Sequence, residues 1–175
     1  LEEALGRTDA DGVVLGDELD RIGYRGTVPV PGPVPHAFVE LHIEQGPVLE
    51  RQGRTIGAVT GVQGISWREL TIRGQANHAG TTPMALRHDA GFAAGAITQG
   101  VRDLVTAMGG PQVGTVGVID LDPGLTNVVA RRARMTVDLR NTDEALLQEA
   151  EHRLADLVTE VAEAEGVTVD SVSLA

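Results

Sequence analysis

From Trp67 to Leu174 the spacing of apolar residues switches repeatedly between a period of two and steps of three and four. No other feature restricts the fold as much. Trp67 to Arg73 reads as a strand, and after Pro83 the residues Leu86, Ala90, Ala93, Ile97, Val101, Leu104 and Met108 fall on one helical stripe. Gly109-Gly110-Pro111 ends that helix, Val113 to Leu121 predicts a strand, and Asp122-Pro123-Gly124 predicts a turn. Arg134 to Leu139 alternates, with Met135, Val137 and Leu139 on one face and Thr136, Asp138 and Arg140 on the other. Thr142, Asp143 and Glu144 open a second helix with acids at the positive end of its dipole, and Leu147, Ala150, Leu154, Leu157 and Val161 form its stripe. Gly166 closes it, and Val167 to Leu174 is a last strand. The order strand, helix, strand, strand, helix, strand predicts an α+β, ferredoxin-like βαββαβ sandwich. Its four-stranded antiparallel sheet carries both helices on one face, so the other face must be polar or covered, and homodimerisation is one way to cover it.

A chain of 175 residues is one domain of ordinary size, or a small domain plus part of another. Aromatics make up only 2%, so the core has to be built from Val, Leu, Ile and Ala. The formal charge of −11 argues against nucleic acid and against an anionic membrane as partners, and makes arginines notable as local anion sites. The lack of cysteine excludes disulfides and thiolate metal sites and suits a cytoplasmic protein. No apolar run approaches a membrane span, and no signal peptide is visible.

Ahead of Trp67 the pattern is looser. Leu1 to Tyr24 predicts helical fragments around a turn at Asp9-Ala10-Asp11-Gly12, and the lack of a clear cap before Leu1 leads to the expectation that the chain begins inside a larger protein. Gly26 to Pro35, with four prolines, predicts an extended connector. Phe38 to Ile43 predicts a strand that places Glu40, His42 and Glu44 on one face, and Ile56 to Val62 predicts another. Imidazole between carboxylates suits metal binding or acid–base work, whereas spacing alone favours a half-exposed edge strand with a polar face. One histidine cannot hold a catalytic zinc, which takes three protein ligands.

The connection Gly74-Gln75-Ala76-Asn77-His78-Ala79-Gly80-Thr81-Thr82-Pro83-Met84 joins the first strand of the sandwich to its first helix. Thr81 or Thr82 is the expected helix cap, with Pro83 at the first helical position. His78 would then stand just before a helix N-terminus, where backbone donors favour an anionic ligand. Taken by itself, such a histidine is more often a residue that closes its turn.

Three segments together resemble the amidase/hydantoinase–carbamoylase family: Glu40 to Pro47, Gln75 to Met84, and Asn127-Val128-Val129 with Val137-Asp138-Leu139-Arg140. The family includes N-carbamoyl-L-amino acid hydrolases, allantoate amidohydrolases and β-ureidopropionases, among the aminoacylase-type di-metal hydrolases. The resemblance runs from about Asp9 to the end, and the first two segments are the more specific. It implies a catalytic domain with two divalent metals per site (Zn, Mn, Co or Ni), interrupted by a ferredoxin-like lid that also dimerises. Residues 1–54 then correspond to part of the catalytic domain and a linker, and residues 55–175 to the lid. By resemblance His42 is a metal ligand and Gln45 a neighbouring active-site residue. His78 and Asn127 polarise the scissile carbonyl and stabilise its oxyanion, and Arg140 clamps a substrate carboxylate. The metals activate water, assisted by a glutamate base. The sequence departs from the family where Ala130-Arg131 follows Asn-Val-Val instead of Pro-Gly. The early His and Asp ligands, the paired glutamates and the late histidine have no counterpart, and Glu44 does not match the general base. The resemblance therefore predicts that this chain alone is inactive and does not retain the metals.

Thirteen residues separate Asn127 from Arg140, about 43 Å at ~3.3 Å per residue if fully extended. Two such residues are not expected to reach one small carboxylate substrate from the same lid, which favours a dimer in which His78 and Asn127 serve the partner's site. A free-standing binding or dimerisation module, and a metallopeptidase or acylase of the same broad class, are the competing expectations.

Overall fold

A computed structural model of the chain describes residues 1–174, which divide into two compact units, Leu1–Gly57 and a second that starts at Ala58. The first holds three short helices: α1 (Glu2–Leu5), α2 (Leu15–Arg21) and α3 (Val48–Arg51). Asp9 shapes the turn between α1 and α2, its Oδ1 accepting the N–H groups of Asp11 and Val13, each at 2.9 Å. Residues 26–35 carry no regular structure, as their prolines require.

The strand expected at Phe38 to Ile43 is not formed. This stretch has no ladder partner among the described residues, and Leu41 is 92% exposed. Alternating apolar residues make a strand only where a neighbour takes up the backbone hydrogen bonds, and no neighbour is offered here. The shared face of Glu40, His42 and Glu44 goes with it. Ile56 to Val62 fails as a strand for the same reason.

The second unit is the expected sandwich. Its elements are β1 (Gly64–Arg73), α4 (Ala90–Met108), β2 (Val113–Asp122), β3 (Arg132–Asn141), α5 (Glu144–Glu165) and β4 (Thr168–Ser173). The antiparallel sheet has the order β2-β3-β1-β4, with the long strands β3 and β1 at its centre. The β3 alternation holds: Ala133, Met135, Val137 and Leu139 are buried against the helices, each of the larger ones stabilising by roughly 1.5–3 kcal/mol. Leu70 and Ile72 of β1 join them, and Ala93, Ile97 and Val101 of α4 with Leu147, Ala150 and Leu154 of α5 complete the core. Gly100 of α4 lies under Leu157, where an added Cβ would come within 2.5 Å of that side chain. At the far end Asn141 Nδ2 donates to Gln112 Oε1 at 2.8 Å, and Asp143 N donates to Asn141 Oδ1 at 2.9 Å, so this buried polar pair is satisfied.

The start of α4 corrects the sequence. Thr81 and Thr82 do not cap it. Asp89 does, its Oδ1 accepting Gly91 N at 2.8 Å and Phe92 N at 3.1 Å. Met84–Leu86 forms a separate 3₁₀ turn, and Leu86, expected on the helical stripe, is 65% exposed. The helix needs its capping acid and then Ala90 to pack under the sheet, and the Thr-Thr-Pro sequence supplies a turn instead. His78 therefore lies in a loop of its own and not against a helix N-terminus. No helix of the described residues is long and apolar enough to cross a membrane.

Candidate functional site

The loop from Gly74 to Asp89 is held at both ends by main-chain bonds. Gly74 N donates to Arg131 O and Gln75 N to His88 O, each at 2.8 Å. Gly74 cannot carry a side chain, because a Cβ there would lie 2.0 Å from the His88 carbonyl oxygen. In the middle, the loop pairs with the β2–β3 connection. His78 and Val128 form an antiparallel bridge, in which Ala79 N donates to Asn127 O and Val129 N donates to Asn77 O, both at 2.9 Å. His78 and Asn127 are thereby neighbours on an exposed rim at one end of the sheet.

The two residues after Val129 anchor the Asn127 loop. Ala130 O accepts from Ala90 N at 3.1 Å, and Arg131 N donates to Asp122 O at 3.0 Å while its Nε donates to Asp122 Oδ2 at 2.9 Å. The Arg131 hydrogen bond holds the Asp122 carboxyl below its usual range.

The His78 ring is oriented from below. Gly80 N donates to His78 Nδ1 at 3.1 Å, which requires a lone pair at Nδ1, so the neutral ring carries its proton on Nε2. The exposed nitrogen is then a donor, suited to a carbonyl oxygen or an oxyanion. Sequence reasoning missed Arg87, whose Nε donates to Thr82 O at 3.1 Å and whose Nη2 donates to Ala79 O at 2.6 Å. The only signal for it was an arginine close behind a turn rich in carbonyls.

Arg140 stands at the opposite end of the sheet, paired with Ile65 of β1 and Val113 of β2. Its guanidinium lies 6.0 Å from the Trp67 ring centroid. Nε donates to Asp138 Oδ1 at 3.0 Å and Nη2 to Asp138 Oδ2 at 2.8 Å, a bond that raises the Arg140 pKa further and keeps it charged. Asp138 thus occupies the side-on edge of the fork and leaves the end-on edge, Nη1 with Nη2, for a ligand carboxylate. Beside this pair a hollow of about 240 Å³ is lined by Trp67, Thr115, Gly117, Thr136, Asp138 and Leu174.

His42 and Gln45 belong to the first unit, where both are exposed. The Ile43 carbonyl faces His42 Nδ1 at 2.5 Å, which places the proton on Nδ1 and leaves the Nε2 lone pair for a metal. Gln45 takes a left-handed backbone, φ 53°, and Glu44 accepts the N–H groups of Val48 and Leu49, each at 3.0 Å, so its carboxylate supports α3. Among the described residues no group of three His, Asp or Glu is arranged to hold a metal ion, so His42 offers one ligand and not a site.

Residues 60–165 match the family described as the peptidase dimerisation domain. N-carbamoyl-L-amino-acid amidohydrolase of Rhizobium meliloti is 39% identical over 95% of this chain and 40% of its own length. Allantoate amidohydrolase of Escherichia coli K12 is 36% identical over 93% of this chain and 40% of its own length. The crystal structure of a hydantoinase/carbamoylase family amidase from Burkholderia multivorans superposes with a TM-score of 0.89 and 41% identity, covering 99% of this chain and 42% of that one. The chain thus spans about 40% of the length of the relatives it matches.

Proposed function

Because this chain belongs to the hydantoinase/carbamoylase family of amidohydrolases and carries its peptidase dimerisation domain, we propose that it is the lid and dimerisation portion of a metal-dependent enzyme. That enzyme hydrolyses linear amide or ureido bonds in a small carboxylate substrate: an N-carbamoyl-L-amino acid, allantoate or ureidopropionate. Residues 1–54 belong to the catalytic domain and residues 55–175 to the lid. His42 and Gln45 belong to the catalytic domain's share of the chemistry, with His42 Nε2 as one metal ligand. In the longer enzyme two divalent metals would supply an activated water, and this chain alone, without a second ligand, is inactive.

The chain's own residues bind and polarise. Arg140 takes the substrate carboxylate on its end-on edge. His78 Nε2–H and the Asn127 side-chain amide donate to the scissile carbonyl oxygen, and their bonds strengthen as negative charge collects there. The observation that carries this reading is the Gly80 N–H bond to His78 Nδ1, which orients the ring as a donor on the loop whose Ala79 N–H is bonded to the Asn127 carbonyl.

A homodimer brings the two ends together. β2 is a ten-residue edge strand with exposed Val113, Val118, Ile119 and Leu121, while the opposite edge, β4, has six residues. Antiparallel pairing of β2 with a second β2 sets Asp122 of one protomer beside Val113 of the other. Arg140 of that second protomer is one strand further in, about 10 Å away at ~4.8 Å per strand. His78 and Asn127 then serve the partner's site. Side-by-side turnover of the three substrates by the longer enzyme tests the proposal. Hydrolysis of none of them, or hydrolysis by the 175-residue chain alone, would overturn it.

A further inference from the structure

Arg87 is half-buried, and its side-chain hydrogen bonds run to main-chain carbonyls, those of Thr82 and Ala79. The Ala79 carbonyl belongs to the same peptide group as the Gly80 N–H that donates to His78 Nδ1. One planar amide therefore has a guanidinium at its oxygen and an imidazole nitrogen at its hydrogen. A cation at the carbonyl draws electron density toward the oxygen and strengthens the N–H as a donor, the polarisation that runs along hydrogen-bonded chains. We propose that Arg87 is a positioning residue for His78: acting through the Ala79–Gly80 amide, it pins the imidazole ring and keeps its proton on Nε2.

The surroundings leave the relay little slack. On the other side of Ala79, its N–H is held by Asn127 O at 2.9 Å, so the peptides before and after this residue are both fixed. The ring packs against Gly80, where a Cβ would come within 3.2 Å of His78 Cε1. The 3₁₀ turn Met84–Leu86 folds the chain back so that Arg87 reaches across the loop it has just left, with Arg87 N donating to Met84 O at 3.2 Å. The two accepting carbonyls are three positions apart, which suits a planar fork with divergent donors. A lysine ammonium would serve as a point charge and would not bridge them with the same geometry.

The inference borrows the catalytic meaning of His78 from the proposed function, but its structural content is tested on the 175-residue chain without any catalysis. Ring-nitrogen NMR of the wild type, with His78 assigned by its loss in His78→Gln, should show Nδ1 unprotonated and Nε2 protonated when the ring is neutral. The Arg87 Nη protons should be resolved, as in a guanidinium that cannot turn. Arg87→Gln and Arg87→Lys should each convert the His78 ring to a mixture of tautomers and speed exchange of the Gly80 amide by about tenfold. A pure Nε2–H ring in both variants overturns the proposal. So does a freely averaging Arg87 guanidinium in the wild type, a measurement that depends on no variant folding. In the longer enzyme Arg87→Lys should lower kcat with little change in KM. If the ring spectra respond as expected while kcat does not, the coupling stands and the catalytic role of His78 falls.

Discussion

Asn127 and Arg140 lie at opposite ends of one four-stranded sheet. The Asn127 carbonyl is bonded to Ala79, in the loop that leaves β1 beyond Arg73, and Arg73 pairs with Arg132 at the start of β3. Arg140 pairs with Ile65 at the other end of β1, eight residues along β3 from Arg132, or about 26 Å at ~3.3 Å per residue. A linear carbamoyl or ureido acid is far shorter than that span. Under the proposed roles, Arg140 as carboxylate clamp and His78 with Asn127 as the carbonyl-polarising pair of a single protomer cannot share one substrate, and two-fold symmetry is the least costly way to bring one of each together.

Subunit complementation follows from that geometry. In the longer enzyme, His78→Ala and Arg140→Ala should each be nearly inactive, Arg140→Ala through a severe rise in KM. Co-refolded together, they should regain about a quarter of wild-type activity, since half of the randomly formed dimers would contain one intact site. Steady-state rates on the separated and mixed variants decide it. No recovery on mixing would place all three residues on one protomer.

Much of this arrangement was legible in the sequence, and the exceptions have physical causes. The alternation of Met135, Val137 and Leu139 and the stripe from Ala90 to Met108 are recorded in side-chain spacing, because each element has one buried face. Phe38 to Ile43 has a similar alternation and no ladder, since a strand depends on a partner that local spacing cannot report. The α4 cap was misplaced because Thr81, Thr82 and Pro83 form a plausible start, whereas Asp89 is followed by Ala-Gly, a weak helical opening that only packing selects. The residues His78, Asn127 and Arg140 could be picked out by resemblance. Arg87 could not, because its partners are carbonyls, which every residue possesses.

Gly74→Ala should disturb the loop more than any other small change. The new Cβ would meet the His88 carbonyl oxygen at 2.0 Å and Ala90 N at 3.0 Å, both of them backbone atoms that cannot rotate aside. The loop would have to detach from His88, giving up the Gln75 N bond to His88 O. The expected cost is roughly 1–3 kcal/mol, with the midpoint of urea unfolding lowered and the m-value retained. An unchanged midpoint would mean that the 88–90 backbone yields freely.

Glu151 gives the second unit an acid-sensitive tie. Its carboxylate accepts Ser66 Oγ at 2.6 Å and Arg68 Nη2 at 3.2 Å, joining α5 to β1. The Ser66 hydrogen bond chiefly holds its pKa below the ordinary 4.5; burial opposes it, and Arg68 and then His152 add to the lowering. A carboxyl with a lowered folded-state pKa contributes stability above its unfolded value and loses it as pH falls through the folded one. Unfolding free energy should therefore decline as pH drops below about 4.5. In Glu151→Gln that decline should be shallower, and at neutral pH the variant should be less stable by about 1 kcal/mol, discounted for partial exposure. Parallel acid titrations of the two chains would refute the tie.

The β2 edge is the remaining test, and it can be made on this chain alone. A long edge strand offers unpaired backbone groups to any neighbour, and proteins that stay monomeric blunt such edges with charge, bulges or brevity. β4 is short, and Arg73 bonds to Asp170 across it at 3.2 Å. β2 has ten residues, and along its first seven, from Val113 to Ile119, no side chain is charged. The register shift between Val116 and Val118 lies near its middle. Val118→Lys places a charge there without touching the buried face of β3. Under two-fold symmetry the same charge appears twice, close to the axis, and the apolar contact of Val118 is lost as well. The dimer dissociation constant should rise about tenfold or more, read from sedimentation across a concentration series, with the helical content unchanged. An unaltered dissociation constant would mean that the copies meet on a different surface, and the pairing that brings His78 to the partner's Arg140 would have to be abandoned with it.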